Sequence, residues 1–296
     1  MVFNITECVD FHHGKRIVIT ILVCGHDVVI IMHKEGDALL IQQPVYYPFR
    51  EVIEDNGRIF VNNQLHYEDG KYTIDFEDFE KKIVDNNVKV FILCNPHNPV
   101  GRVWTKEELE KMGDICLKHN VVIMDDEIHC DFTYPGFKFT SFMTLDKKYH
   151  NSLVLYTSPS KTFNVAGLQP ANIIIKNQEL RAAYRKANVA AGYSQGSIMG
   201  QVAVKSVYTK GDEWVNELVE YITGNMNYMR DFVKENFPKA QFVDPEGTYL
   251  TWVDFSGYGF TDEELEHIMV EEAHLWLDSG KVFGPATAQF ERFNLA

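Results

Sequence analysis

The chain has 296 residues, 45% hydrophobic and 13% aromatic, enough for one large domain with a smaller one beside it. Its formal net charge of −14 argues against nucleic acid or an anionic membrane as partner, since both select basic surfaces. The five cysteines are scattered and form no C-x-x-C pair, so neither a disulfide framework nor a zinc ribbon is expected, and they read as reduced thiols of a cytoplasmic protein.

The first apolar run, Ile17–Val23, is too short to span a membrane and lacks a small-residue cleavage site after it, so it reads as a buried strand. Ala38–Ile41 is a short strand that Gln43-Pro44 stops. Val88–Cys94 is continuously apolar, as a strand buried on both faces of a parallel sheet must be. Thr105-Lys106-Glu107-Glu108 has the form of a capping box and opens a helix to about His119. Val121–Met124, Leu153–Thr157 and Ala171–Ile175 read as further strands, and Glu179–Ala191 as a helix. This alternation predicts an α/β fold with a mostly parallel sheet.

From about Gly211 the pattern changes. Trp214–Phe237 reads as a long amphipathic helix, followed by strands Ala240–Val243 and Tyr249–Asp254 around Pro245-Glu246-Gly247, and by a capped helix at Thr261-Asp262-Glu263-Glu264. The expected division is an atypical segment 1–35, a large domain 36–210 and a smaller α+β domain 211–296.

Three polar positions follow three predicted strands. Asn98 follows Val88–Cys94, Asp126 follows Val121–Met124, and Lys161 follows Leu153–Thr157. Ligands of an open parallel sheet bind at the carboxyl ends of its strands, so this fold brings an amide, a carboxylate and an amine to one rim. That trio suits pyridoxal 5′-phosphate (PLP), which needs an amine to form an imine and a carboxylate at the pyridine nitrogen. Ser158, Ser160 and Thr162 supply hydroxyls for a phosphate, and Tyr46-Tyr47 an aromatic to cover the ring.

The segments QPVYYPF (43–49), CNPHNPVGRVWTKEEL (94–109), DEIHCD (126–131), SPSKTFNVAGL (158–168) and PEGTYL (245–250) give the chain its resemblance to a known family. From about Gly36 to Ala296 it resembles the fold-type I PLP-dependent enzymes of aminotransferase class I/II, in the MalY/PatB-like cystathionine β-lyase (C–S lyase) branch. The resemblance implies that Lys161 carries the cofactor and then acts as base at the substrate α-carbon. It implies Asp126 at the pyridine nitrogen, Asn98 at the phenolic oxygen, Tyr46 on the ring face, Ser158 and Ser160 at the phosphate and His129 beside the cofactor. Arg292, in Arg292-Phe293-Asn294, would grip the substrate carboxylate as a bidentate fork.

The implied reaction is α,β-elimination of cystathionine or another cysteine S-conjugate to pyruvate, ammonia and a thiol, in a homodimer. An aminotransferase on the same site is the alternative, and a non-catalytic PLP-binding remnant a second. Residues 1–35 do not read like the family; Val23–Asp27 is at best a shortened phosphate-binding turn, and the chain is expected to be altered at its N-terminus and truncated at its C-terminus. Gln169 stands where many members carry a phosphate-binding arginine, which fits this branch. Asp126, Glu127, His129 and Asp131 are not expected to converge on a metal directly after a strand, and no metal is expected.

Overall fold

The computed structural model describes residues 34–190 and 196–296, together with the backbone of strand β1 (Val18–Ile21). The expectations for Val23–Asp27 and the rest of 1–17 and 22–33 lie outside the described residues. Six more strands complete the main sheet: β2 (Ala38–Ile41), β3 (Ile59–Asn62), β6 (Val90–Cys94), β7 (Val122–Asp126), β8 (Leu153–Thr157) and β9 (Pro170–Ile175), in the order β1-β9-β8-β7-β6-β2-β3. From β3 through β8 every pairing is parallel, whereas β9 runs antiparallel to β8 and β1 antiparallel to β9. The turn from β8 to β9 therefore needs no crossover helix, and Lys161 lies in it.

Helices α1 (Pro48–Asp55), α2 (Phe76–Asp85) and α3 (Lys106–Lys118) cover the sheet. The residues of β6 alternate between the two faces: Phe91 and Leu93 join Phe79 of α2 and Leu109 and Met112 of α3, while Val90, Ile92 and Cys94 join Phe49, Val52 and Ile53 of α1. All five β6 residues are buried, which is why this strand is an unbroken apolar run. The predicted capping box forms, with Thr105 Oγ1 accepting Glu108 N–H at 3.1 Å and Glu108 Oε2 accepting Thr105 N–H at 2.8 Å.

Helices α4 (Gln178–Ala190), α5 (Ile198–Lys210) and α6 (Asp212–Asn236) follow β9. The second sheet is antiparallel, β10 (Gln241–Val243), β11 (Leu250–Asp254), β13 (Phe290–Asn294) and β12 (Asp278–Ser279) in spatial order, with α6 packed on it through Ile222, Met226 and Val233. A hairpin of β4 (His66–Glu68) and β5 (Lys71–Thr73) lies between the sheets, and Trp252 of β11 donates its indole N–H to Tyr72 Oη at 3.1 Å. Helix α7 (Asp262–His267) starts with the second expected capping box.

Helices α1, α2 and α5 and strand β13 were not expected. Pro48 reads as a turn residue, yet it occupies the first turn of α1, where its missing N–H has no partner to lose. Asp75 caps α2 by accepting the N–H groups of Glu77 and Asp78, both at 3.0 Å.

The turn after β6 is locked to the second sheet. Arg102 Nε donates to Glu246 Oε2 at 2.9 Å, its Nη2 meets both oxygens of Glu108 at 3.0 Å, and Glu246 Oε2 also accepts Val103 N–H at 2.8 Å. Gly101 sits here at φ +74°, where an added Cβ would come within 2.7 Å of Pro245 Cβ, so the close approach requires glycine. Arg102→Ala leaves two mostly buried carboxylates without their cation. It is expected to cost about 3–5 kcal/mol of stability, read as a lowered urea midpoint; a loss under about 1 kcal/mol would show the junction to be held by packing alone.

Candidate active site

The carboxyl ends of β2, β6, β7 and β8 open into one cleft of about 470 Å³, within the range of small-molecule sites. Register places Cys94 beside Asp126 and Asp126 beside Tyr156, so the three strands end level. Tyr46, Asn98, Asp126, His129, Ser158, Ser160, Lys161 and Arg292 all line this cleft.

Asp126 ends β7, and its Oδ1 accepts Ile128 N–H at 3.1 Å. Burial raises its pKa to about 6, against the lowering effects of that bond and of the Lys161 charge. Asp125 and Glu127 on either side are fully buried and face away from the cleft, with Glu127 Oε1 accepting Phe142 N–H at 3.0 Å. Burial and the neighbouring Glu127 push the Asp125 pKa well above the usual carboxylate range. Asp131 accepts the Thr162 hydroxyl at 2.8 Å. Of the four side chains that might have suggested a metal, Asp126 and His129 line the cleft, whereas Glu127 and Asp131 are bonded to Phe142 N–H and the Thr162 hydroxyl.

His129 is buried with its ring 5.3 Å from Tyr249, and its pKa falls to about 3 through burial and then the charges of Lys161 and Arg292. It is neutral at pH 7. Ser158 Oγ lies 2.8 Å from Ser160 Oγ and accepts Ser160 N–H at 3.0 Å, and its hydroxyl is bonded to Pro170 O. Thr162 departs from the sequence reading: it is buried, bonded to Asp131 and not part of the cleft lining. The Tyr46 ring is edge-on to Phe49, with centroids 5.6 Å apart, and both line the cleft.

Arg292 reaches the cleft from the second sheet. Its Nη1 donates to Asn98 Oδ1 at 3.0 Å, its Nη2 to Asp278 Oδ2, and its guanidinium lies 4.9 Å from the Phe283 ring centre. The sequence reading missed Tyr249 and Asp278 as lining residues. Tyr249 lay within the quoted PEGTYL motif, whereas Asp278 carries no local signal and becomes visible only as the cross-strand partner of Arg292.

The Aminotransferase class I and II family matches residues 24–296, and the chain belongs to it. Its fold is that of the fold-type I PLP-dependent enzymes. It is 42% identical to the cystathionine β-lyase PatB of Bacillus subtilis over 88% of this chain and 67% of PatB. Cystalysin from Treponema denticola, whose crystal structure contains a pyridoxal 5′-phosphate cofactor, matches with a TM-score of 0.91 and 37% identity over 95% of this chain and 72% of that one. The PLP-bound C–S lyase from Staphylococcus hominis gives 0.86 and 32% over 95% and 72%. The chain spans about two thirds of the length of the curated relatives it matches.

The raised pKa of Asp126 has a consequence for stability. Unfolded, the group ionises near 3.8; folded without cofactor it does so near 6. Across that window the folded state binds more protons, so this group's contribution falls as pH rises, by up to about 3 kcal/mol. Asp126→Asn removes the penalty, and its stability advantage over the parent, taken from urea midpoints of cofactor-free protein, should grow between pH 4 and pH 7. A constant difference would mean that burial does not perturb the carboxyl.

Proposed function

We propose that this chain is a PLP-dependent C–S β-lyase that cleaves cystathionine or another cysteine S-conjugate to pyruvate, ammonia and a thiol. The observation that carries the reading is the convergence of Lys161, Asp126, Asn98 and Arg292 on one cleft.

The residues suit PLP on their own chemistry. Asp126 is ionised at pH 7, sits at a strand end and would pair with the pyridine nitrogen. Asn98 Oδ1 is taken by Arg292, which leaves its amide N–H₂ for the phenolic oxygen. Ser158 and Ser160 would contribute to the phosphate site, and Tyr46 and His129 would flank the ring. Bound PLP supplies an electron sink for the substrate α-carbon. Lys161 would hold the cofactor, and its amine would take the proton from the substrate α-carbon. Arg292 orients the α-carboxylate beside Asn98, which fixes the bond to be broken relative to Lys161.

The proposed division into a large unit 36–210 and a smaller unit 211–296 puts Lys161, Asp126 and Asn98 on one and Arg292 on the other. Among the described residues no helix is long and apolar enough to cross a membrane. The buried free thiols of Cys94 and Cys116 support a reducing compartment, the cytoplasm. Ile198, Met199 and Val202 of α5 are 77%, 64% and 54% exposed, which supports burial against a second copy in a homodimer.

Incubation with PLP and L-cystathionine should yield pyruvate without an added keto acid, and Lys161→Ala should lower the rate at least about a hundredfold. Amino-group exchange that requires a keto acid, with no pyruvate from L-cystathionine alone, would replace the lyase by the aminotransferase that the family description also covers. Failure to bind PLP would leave the motifs as a remnant. Arg292→Ala should raise KM for the amino acid about tenfold to a hundredfold, the range for losing a charge-assisted hydrogen-bond pair; an unchanged KM would remove Arg292 from the carboxylate site.

A further inference from the structure

The guanidinium proposed to receive the substrate already holds a carboxylate. Asp278 is the direct cross-strand partner of Arg292, and its Oδ2 is bonded to Arg292 Nη2. Both side chains line the cleft. We infer that Asp278 is the resting counter-ion of Arg292 and that an incoming carboxylate binds by exchange with it, so that Asp278 sets the affinity of the site. This rests on the reading of Arg292 as the carboxylate fork.

The geometry fits exchange rather than permanent pairing. The Asp278 side chain is 44% exposed and that of Arg292 14%, so the anion can turn into water without stranding a buried charge while the cation stays in the cleft. Strand β12 is two residues long and lies at the edge of the second sheet, so the Asp278 side chain has room to turn into water while Leu277, packed against the core, holds the backbone in place. Arg292 keeps two other contacts when Asp278 leaves, Asn98 Oδ1 at 3.0 Å and the Phe283 ring at 4.9 Å. The fork therefore remains aimed into the cleft, with Nη2 open to a new anion. An ion pair with one partner in water is weak, and a substrate that also gains contacts deeper in the cleft can displace it. The opposite role, in which Asp278 holds Arg292 in its productive orientation, predicts the opposite effect of its removal.

The test uses the full chain with PLP bound, and propionate, a plain carboxylate that cannot be turned over, as probe. Titration calorimetry of Asp278→Asn and Asp278→Ser should show propionate binding about two- to fivefold tighter than in the parent, the range for a cross-strand charge pair. Binding should be lost in Arg292→Ala. The KM for L-cystathionine should fall by a similar factor in the two Asp278 variants. Unchanged or weaker propionate binding in both would overturn the exchange. Tighter propionate binding in a protein that makes no pyruvate would keep the exchange and sink the lyase reading, so the two failures are separable.

Discussion

The site depends on one constraint: parallel strands in register end together. Cys94, Asp126 and Tyr156 are neighbours across β6, β7 and β8, so the residues that follow each strand emerge at one edge with no further arrangement needed. Asn95 N–H donates to Asp126 O and Glu127 N–H to Tyr156 O, both at 2.9 Å, and these bonds carry the ladder one step past the strands and fix where the turns begin. The apolar burial of β6 on both faces holds the edge rigid, because moving any one strand end would disturb both cores.

On that edge the charges are arranged against the cost of burial. Lys161 and Arg292 line the cleft with His129, whose imidazole is held neutral by burial and by their charges, which avoids a third positive charge in the same space. Of three consecutive acidic residues, the middle one faces the cleft while its neighbours point into the protein, as strand alternation demands. Burial and the neighbouring Glu127 disfavour the charged form of Asp125, so the three acidic residues do not ionise alike.

Much of this was legible in the sequence because it rests on local rules. Continuous apolar runs gave β6, β7 and β8, threonine-glutamate boxes gave α3 and α7, and the polar residues expected just past strand ends line one cleft. What was missed depends on partners distant in the chain. Helix α1 hides behind a proline that signals a turn as strongly as a helix start. Strand β13 hides behind the R-x-N motif, whose alternation is too short to read without β11 beside it. Thr162 looked equivalent to its serine neighbours, and only the fold reveals Asp131 as its acceptor.

The same distinction explains why Arg292 is the pivotal member of the site. Asp126 ends one strand of the main sheet, and Asn98 and Lys161 lie in the turns that follow two of its neighbours, so all three are carried by that sheet. Arg292 belongs to the other sheet, 194 positions along the chain from the asparagine it contacts, and its position relative to the others is only as good as the junction between the sheets. That junction is built from Arg102 with Glu246 and Glu108, from the indole of Trp252 on Tyr72, and from the Pro245–Gly101 contact that excludes any side chain at residue 101. A shift of an ångström there would separate Arg292, the proposed carboxylate fork, from Lys161, the proposed base, with no change to any residue of the cleft. Arg102 and Glu246 are not among the residues that line the cleft, yet their ion pair helps fix how its two sides meet.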